Sequence, residues 1–350
     1  MKKILLFILC IILLLPAGCA GNSPKRYQAE FLTLFDTVTR IVGYSDSKEE
    51  FTELSQSIYD ELEIYHQLYD IYNDYDGVNN IKTINDNAGK SPTIVDSRII
   101  DLLLFAKTQY IKTNGKVNVA FGAVLKIWHD YREQGIDDPE NAALPQMTEL
   151  EAAAEHCNID DVVIDEDAST VYLSDPMMRL DVGAVAKGYA TEQVAKHFEA
   201  KGVTSLLISV GGNVRAIGSK ADGGNGNTNP WVIGIQNPDK INENTELFSV
   251  EISELSVVTS GSYERYYTVD GKQYHHIIDP ETLMPAEYCT AVSVICRDSG
   301  LADAFSTATF NMPVDKAKAF INSIDGVEAM WVLPDRSIEY SANFENYKQN

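Results

Sequence analysis

Amphipathic helical stretches and short β-branched runs follow one another in no fixed order along this chain, a mixture that predicts an α+β fold with mixed or antiparallel sheets and packed helices. Nothing repeats at a fixed period, and the Gly/Asn loop at 222–229 is the longest low-complexity stretch, so the segments belong to a single compact domain. Composition agrees: 45 % apolar and 23 % charged residues over 350 positions can build a large core and exclude a disordered chain.

The first segment is an address. Met1-Lys2-Lys3 precedes an uncharged run from Ile4 to Leu15, closed by Pro16-Ala17-Gly18-Cys19. A basic start, about a dozen apolar residues and small residues at the end make a secretory signal, too short for a mature membrane span. Cys19 after Ala-Gly resembles the lipobox of bacterial lipoproteins, with Pro16 where Leu is usual, which implies cleavage before Cys19 and its acylation. The expected organisation is a signal peptide at 1–18, a lipidated Cys19 and flexible tether at 19–30, and the folded domain at 31–350. Several acyl chains, at about 0.8 kcal/mol per buried methylene, hold such a protein to the outer face of the cell membrane. The net charge of −23 becomes more negative once Lys2 and Lys3 leave, so the lipid alone must tether it. That charge also repels phosphate backbones, and no nucleic-acid partner is expected. Cys157, Cys289 and Cys296 lack CxxC spacing and read as small free hydrophobes.

Thr37–Tyr44 reads as a strand, and Lys48–Tyr72 as a helix from Phe51, Leu54, Ile58, Leu62, Tyr65 and Leu68. A second helix spans Ser97–Thr113, with Ser97 as N-cap and Asn114-Gly115 as its stop. Asp160–Leu173 alternates around Asp165-Glu166-Asp167, a hairpin. Gly183–Lys201 is helical, and Ser205–Val210 is an apolar strand ending in Gly211-Gly212. Strands follow at Trp231–Gln236, Ser256–Thr259 and Tyr263–Val269, the last joined to Tyr274–Ile278 by Asp270-Gly271. Ala291–Cys296 is a strand, Leu301–Asn311 and Val314–Ile324 are helices, and Ala329–Leu333 is a closing strand.

Three clusters carry candidate chemistry. In Asp181-Val-Gly-Ala-Val-Ala-Lys-Gly188, small residues at a strand-to-helix junction allow close backbone approach, and Lys187 can neutralise a phosphate. From Val258-Thr-Ser-Gly-Ser-Tyr-Glu-Arg265 to His275-His-Ile-Ile-Asp-Pro280, hydroxyls and Arg265 can meet an anion, and alternation sends one of His275 and His276 inward. In Ala302-Asp-Ala-Phe-Ser-Thr307, Asp303 and Thr307 stand one helical turn apart, so a carboxylate and a hydroxyl can face one hard cation such as Mg2+.

Taken in order, these clusters with Phe-Asp-Thr37, Tyr72, Asn85, Val119-Ala-Phe-Gly and Trp128 resemble the ApbE family of FAD:protein FMN transferases over residues 31–335. The resemblance implies transfer of the FMN half of FAD onto a threonine hydroxyl of an exported partner protein, with release of AMP and a requirement for Mg2+. By motif position Ala184 (through its carbonyl), Asp303 and Thr307 would hold the metal. Asp181 and Lys187 would contact the FAD nucleotide, while Phe35, Tyr72, Val119, Ala120, Phe121 and Ile277 would wall the flavin site. His276 would be the base, with Asp279 shaping its loop. Leu283 stands where the family often has Gly, so the loop is expected to lack positive-φ freedom there; Asn118 and Asn79 are hydrogen-bonding exchanges. Two other activities use the same residues: FAD pyrophosphatase, with water as acceptor, and FAD carriage without turnover. The segment from Asp303 to Thr309 also looks like an acceptor motif, but it reads as a buried helix and is not expected to be self-modified.

Replacing Cys19 by Ser should release the protein from the membrane fraction. Recovery of the wild-type chain in the soluble fraction with an unmodified N-terminus would exclude lipidation.

Overall fold

An eight-stranded sheet in which every neighbouring pair is antiparallel runs through the molecule. The computed structural model describes residues 24–222, 228–239 and 244–349. The chain enters through β1 (Lys25–Phe31) and β2 (Thr39–Ser45), then passes through α1 (Lys48–Tyr69), α2 (Ile81–Asp86), β3 (Thr93–Ile94), α3 (Ser97–Lys112), α4 (Gly122–Asp137) and α5 (Met147–Ala154). The hairpin β4 (Val162–Asp165) and β5 (Thr170–Leu173) precedes α6 (Ala186–Ala200), β6 (Ser205–Val210) and β7 (Asn213–Gly218). Next come β8 (Trp231–Gln236), β9 (Glu246–Ile252), β10 (Ser256–Gly261), β11 (Tyr266–Val269), β12 (Lys272–His275) and β13 (Ala291–Cys296). Helices α7 (Ser299–Phe310) and α8 (Val314–Asn322) lead to β14 (Glu328–Val332) and β15 (Ile338–Tyr340).

The sheet order is β1-β2-β6-β7-β10-β13-β14-β15. Period-two alternation sorts its side chains into two cores. Ile41, Val258, Val292, Val294, Ala329 and Trp331 face the helical layer, where α1, α6 and α7 pack. Val42, Val257, Ala291, Ile295, Met330 and Val332 face the opposite side, closed by the β8–β9 hairpin with Trp231 and Phe344. Both faces of β13 are covered, which explains its unbroken buried run. A third cluster of Phe121, Val124, Trp128, Leu150, Tyr267 and Ile278 seats α4 and α5 on the β11–β12 hairpin. This is the α+β architecture read from the pattern.

Several boundaries differ for local reasons. The signal segment and Cys19 lie outside the described residues. The tether ends earlier than expected: Lys25–Phe31 is a strand, with Ala29 and Phe31 buried at period two beneath polar Gln28 and Glu30. Helix α1 stops at Asp70, whose ψ of 131° is extended. Asp96, not Ser97, caps α3, its carboxylate accepting the Arg98 amide. Helix α6 starts at Ala186 because Gly183–Val185 form a turn before it. Strand β11 starts at Tyr266, and β12 occupies Lys272–His275, so Ile277 and Ile278 belong to the following loop. The elements α2, β3, α4, α5, β7, β9 and β15 were not expected. Among the described residues no helix is long and apolar enough to cross a membrane.

Behind the helical layer, Arg215 of β7 is fully buried. Its Nε donates to Glu192 Oε2 at 3.0 Å and its Nη2 to Glu199 Oε1 at 2.8 Å, both on α6. Glu192 Oε2 also accepts the Ser299 amide at the start of α7, at 2.8 Å. One carboxylate therefore fixes α6, α7 and β7 together. Arg215→Met should destabilise the fold by about 3–5 kcal/mol, because Glu192 is left charged and buried, and adding Glu192→Leu should recover part of that loss in urea titrations.

Candidate active site

The end of α1, helix α4, the 179–187 segment, the loop after β12 and helix α7 enclose one cleft of about 610 Å3. Phe35, Tyr72, Phe121, Asp181, Ala184, Lys187, His276, Ile277, Asp303 and Thr307 all line it. Val119 and Ala120 do not: both are core residues. They act one layer back, where the Val119 carbonyl accepts the Asp181 amide at 2.8 Å. Asn85 holds the same segment from the other side, since its amide exchanges two hydrogen bonds with the Leu180 backbone at 2.6 and 3.0 Å.

Ala184, Asp303 and Thr307 line the cleft beside the α6–α7 contact. Helical geometry would send the Gly188 amide to the Ala184 carbonyl; instead it donates to Asp303 Oδ2 at 2.8 Å, and the Ala184 carbonyl is left without a backbone donor. A side chain at 188 is forbidden, because a Cβ there would lie 2.4 Å from both Asp303 Cβ and the Ser299 carbonyl oxygen. Thr309 turns its hydroxyl onto the Phe305 carbonyl at 2.7 Å, whereas among the described residues the Thr307 hydroxyl has no such partner, and Thr307 lines the cleft. Burial pushes the Asp303 carboxyl up, and Lys187 and the Gly188 amide pull it back toward the charged form. One carboxylate, one hydroxyl and one carbonyl suit a hard cation that takes further oxygens from a ligand. Among the described residues no group of three His, Cys, Asp or Glu could cage a metal alone.

The aromatic wall is set by a relay. Asp70 Oδ1 accepts the Tyr72 and Asn73 amides at 2.6 and 3.1 Å, and its Oδ2 accepts the Tyr75 hydroxyl at 2.7 Å. With the Tyr75 proton used there, the tautomer of His66 follows: Nε2 donates to the Tyr75 oxygen at 3.3 Å, and Nδ1 accepts the Phe35 amide at 3.2 Å. Phe35 and Asp36 are both left-handed, at φ 53° and 51°, a cost that the relay helps to hold. Tyr72 stays 52 % exposed with its ring 5.1 Å from that of His129, a flat surface open to the cleft.

The two histidines separate cleanly. His275 Nε2 donates to the Ala286 carbonyl at 2.9 Å and its Nδ1 accepts the Ile277 amide at 3.2 Å, so both nitrogens serve the backbone. His276 Nδ1 donates to the Arg265 carbonyl at 3.2 Å, which leaves the Nε2 lone pair for the cleft. Burial, then the charges of Arg265 and Arg132, push the His276 pKa down to about 3.

Sequence reasoning missed two cleft cations, Lys116 and Arg132. Lys116 is buried, with its Nζ 2.8 Å from Asp279 Oδ1, and the Tyr288 hydroxyl donates to the other Asp279 oxygen at 3.2 Å. This pair fixes the loop after His276. Arg132 lies in α4, outside every motif, and only its place four residues after Trp128 on one helix could have pointed to it.

The ApbE family profile matches residues 35–331. The chain belongs to the ApbE family. An FAD:protein FMN transferase of Treponema pallidum (strain Nichols) is 30 % identical over 348 residues, covering 97 % of this chain and 92 % of the relative. One from Klebsiella pneumoniae (strain 342) is 31 % identical over 267 residues, covering 75 % and 77 %. The crystal structure of the ApbE protein of Thermotoga maritima superposes with a TM-score of 0.78 at 28 % identity, covering 93 % of this chain and all of that one.

Against the ApbE pattern, Leu283 corrects the expectation drawn for it. It takes φ 59° without being glycine, held by its amide on the Asp279 carbonyl at 2.8 Å and by the Trp128 indole donating to its carbonyl at 2.9 Å. The ApbE chain thus keeps the turn and accepts about 1–2 kcal/mol of left-handed strain. Asn118 bridges the Ala120 amide at 2.9 Å and the Cys157 carbonyl at 2.9 Å. Cys157, Cys289 and Cys296 are free thiols.

Because the folded state resists protonating His276 while the unfolded chain titrates near 6.5, the unfolded chain binds the extra proton between about pH 6.5 and 3. Stability should therefore fall as pH drops through that window, at up to about 1.4 kcal/mol per pH unit from this group. His276→Gln should flatten the slope in denaturant titrations at pH 4, 5 and 6; an unchanged slope would place the histidine in water.

Proposed function

We propose that this protein is an FAD:protein FMN transferase that moves FMN from FAD onto a threonine of an exported acceptor protein and releases AMP. The observation that carries the reading is that Ala184, Asp303 and Thr307 line the same cleft as His276, whose Nε2 carries no proton. Tyr72 and Phe35 offer the isoalloxazine an aromatic wall, worth about 0.5–1.5 kcal/mol beyond area burial. Lys187 and Asp181 meet the nucleotide. Mg2+ held by Ala184, Asp303 and Thr307 would supply charge neutralisation on the pyrophosphate. His276 Nε2 takes the threonine proton as its oxygen bonds to the FMN phosphorus, and the bond from that phosphorus to the bridging oxygen breaks, with AMP carrying off the electron pair. Burial and the nearby cations leave the His276 lone pair unprotonated, and an anionic ligand bound among those cations would raise its basicity toward that task. The lipid on Cys19 would keep the enzyme on the outer face of the cell membrane, where exported acceptors pass.

Asp303→Asn should keep the fold, since the amide oxygen can still accept the Gly188 N–H, but lose FMN transfer by on the order of 100-fold with Mg2+ present. Mass spectrometry of a threonine-bearing acceptor incubated with FAD reads the outcome; near-normal labelling in the presence of a chelator would sink the metal assignment.

The packing of α7 argues against self-labelling. Thr309 is fully buried and bonded to Phe305, and Thr307 is fixed on the same helix. Neither can swing in line with a leaving group. Intact mass after incubation with FAD and Mg2+ alone should be unchanged, and a stable gain of one FMN at either residue would overturn the role of Thr307.

A further inference from the structure

Arg132 stands at the end of a hydrogen-bonded chain on helix α4. Its Nη2 donates to His129 Nδ1 at 2.6 Å, so His129 Nε2 holds the ring proton and donates to Glu133 Oε1 at 3.0 Å. The three residues lie on one face of α4, at spacings of three and four, and form a chain that ends at the guanidinium. Among the described residues no carboxylate lies within 4 Å of Arg132, although it is half-buried and lines the cleft. Arg265, equally without a carboxylate partner, faces it from the other wall and repels it. Two guanidiniums that, among the described residues, have no carboxylate within 4 Å line one cleft of a chain of net charge −23, a placement that suits an anion.

Their position selects the anion. Lys187 sits with the Ala184, Asp303 and Thr307 oxygens on the α6–α7 side. The His129 ring to which Arg132 is bonded lies 5.1 Å from the Tyr72 ring, and the Arg265 carbonyl accepts a hydrogen bond from His276 Nδ1, so both arginines stand on the flavin side. Resting on the FMN-transfer reading, we infer that Arg132, aimed by the Glu133–His129 chain and paired with Arg265, binds the flavin-side phosphate of FAD, the phosphoryl group that is transferred. Arg132 would then hold the charged oxygens of that phosphate while His276 receives the acceptor proton. The planar fork of a guanidinium suits two phosphate oxygens, which an ammonium cannot match.

Titration of flavin fluorescence with the full chain, comparing FAD, FMN and riboflavin, tests the assignment. Arg132→Met should weaken FMN and FAD by about 10–100-fold and leave riboflavin, which has no phosphate, within about twofold. Arg132→Lys should fall between wild type and Met, and His129→Gln should weaken FMN in the same direction while leaving riboflavin unchanged. FMN affinity within twofold of wild type in Arg132→Met, or a parallel loss of riboflavin in both Arg132 variants, would overturn the inference. Wild-type protein that fails to bind FAD would instead remove the FMN-transfer reading, and the inference with it.

Discussion

The cleft depends on one close approach. Helix α6 can touch α7 only because Gly188 has no side chain, and the contact diverts its amide from the Ala184 carbonyl to the Asp303 carboxylate. That diversion frees the Ala184 carbonyl and orients the Asp303 carboxylate. The buried carboxylate of Glu192, one turn farther along α6, holds the same pair of helices through Ser299 and Arg215. Ser306 extends the arrangement, donating to the Asp303 carbonyl at 2.9 Å and sharing a hydrogen bond with Ser260 of β10 at 2.7 Å. The site is therefore built on sheet and helices, and its loops are held by polar relays anchored to them.

Electrostatics in the cleft runs against the surface. An acidic protein gathers Lys187, Arg132 and Arg265 around a histidine that they help keep uncharged. Such a field favours a polyanionic ligand and opposes a protonated base. A bound pyrophosphate would offset the mutual repulsion of the arginines, and a cation beside Asp303 would offset the desolvation of its carboxylate.

Much of this was legible in the sequence because the chemistry sits in short contiguous runs. The Asp303 to Thr307 spacing, the small residues from Gly183 to Gly188 and the histidine pair each announce a local geometry. Short apolar runs located β6, β8 and β13 at their observed bounds. What remained hidden depends on distant partners. Arg132 and Lys116 acquire meaning only when α4 and the loop after β12 meet, and Asn85 only when it clamps Leu180, 95 residues away. Helix α4 itself is weakly patterned, with four buried residues along sixteen, since one of its faces is turned to the cleft. The left-handed Leu283 shows the converse: a local preference for glycine yields when Trp128 and Asp279 hold the backbone from outside the turn.

The sheet order also sets a timetable. Strand β2 has β1 on one side and β6 on the other, with Arg40 paired to Ser209, so the first strands of the domain wait for a partner about 170 residues farther on. At a synthesis rate of roughly 5–20 residues per second, that interval is on the order of ten seconds or more. During it β1 and β2 can pair only with each other and pack only against helices such as α1, without the neighbouring strand that β6 supplies. A chain whose N-terminal edge closes this late stays loose for most of its synthesis, and folds as a whole only once its middle has arrived.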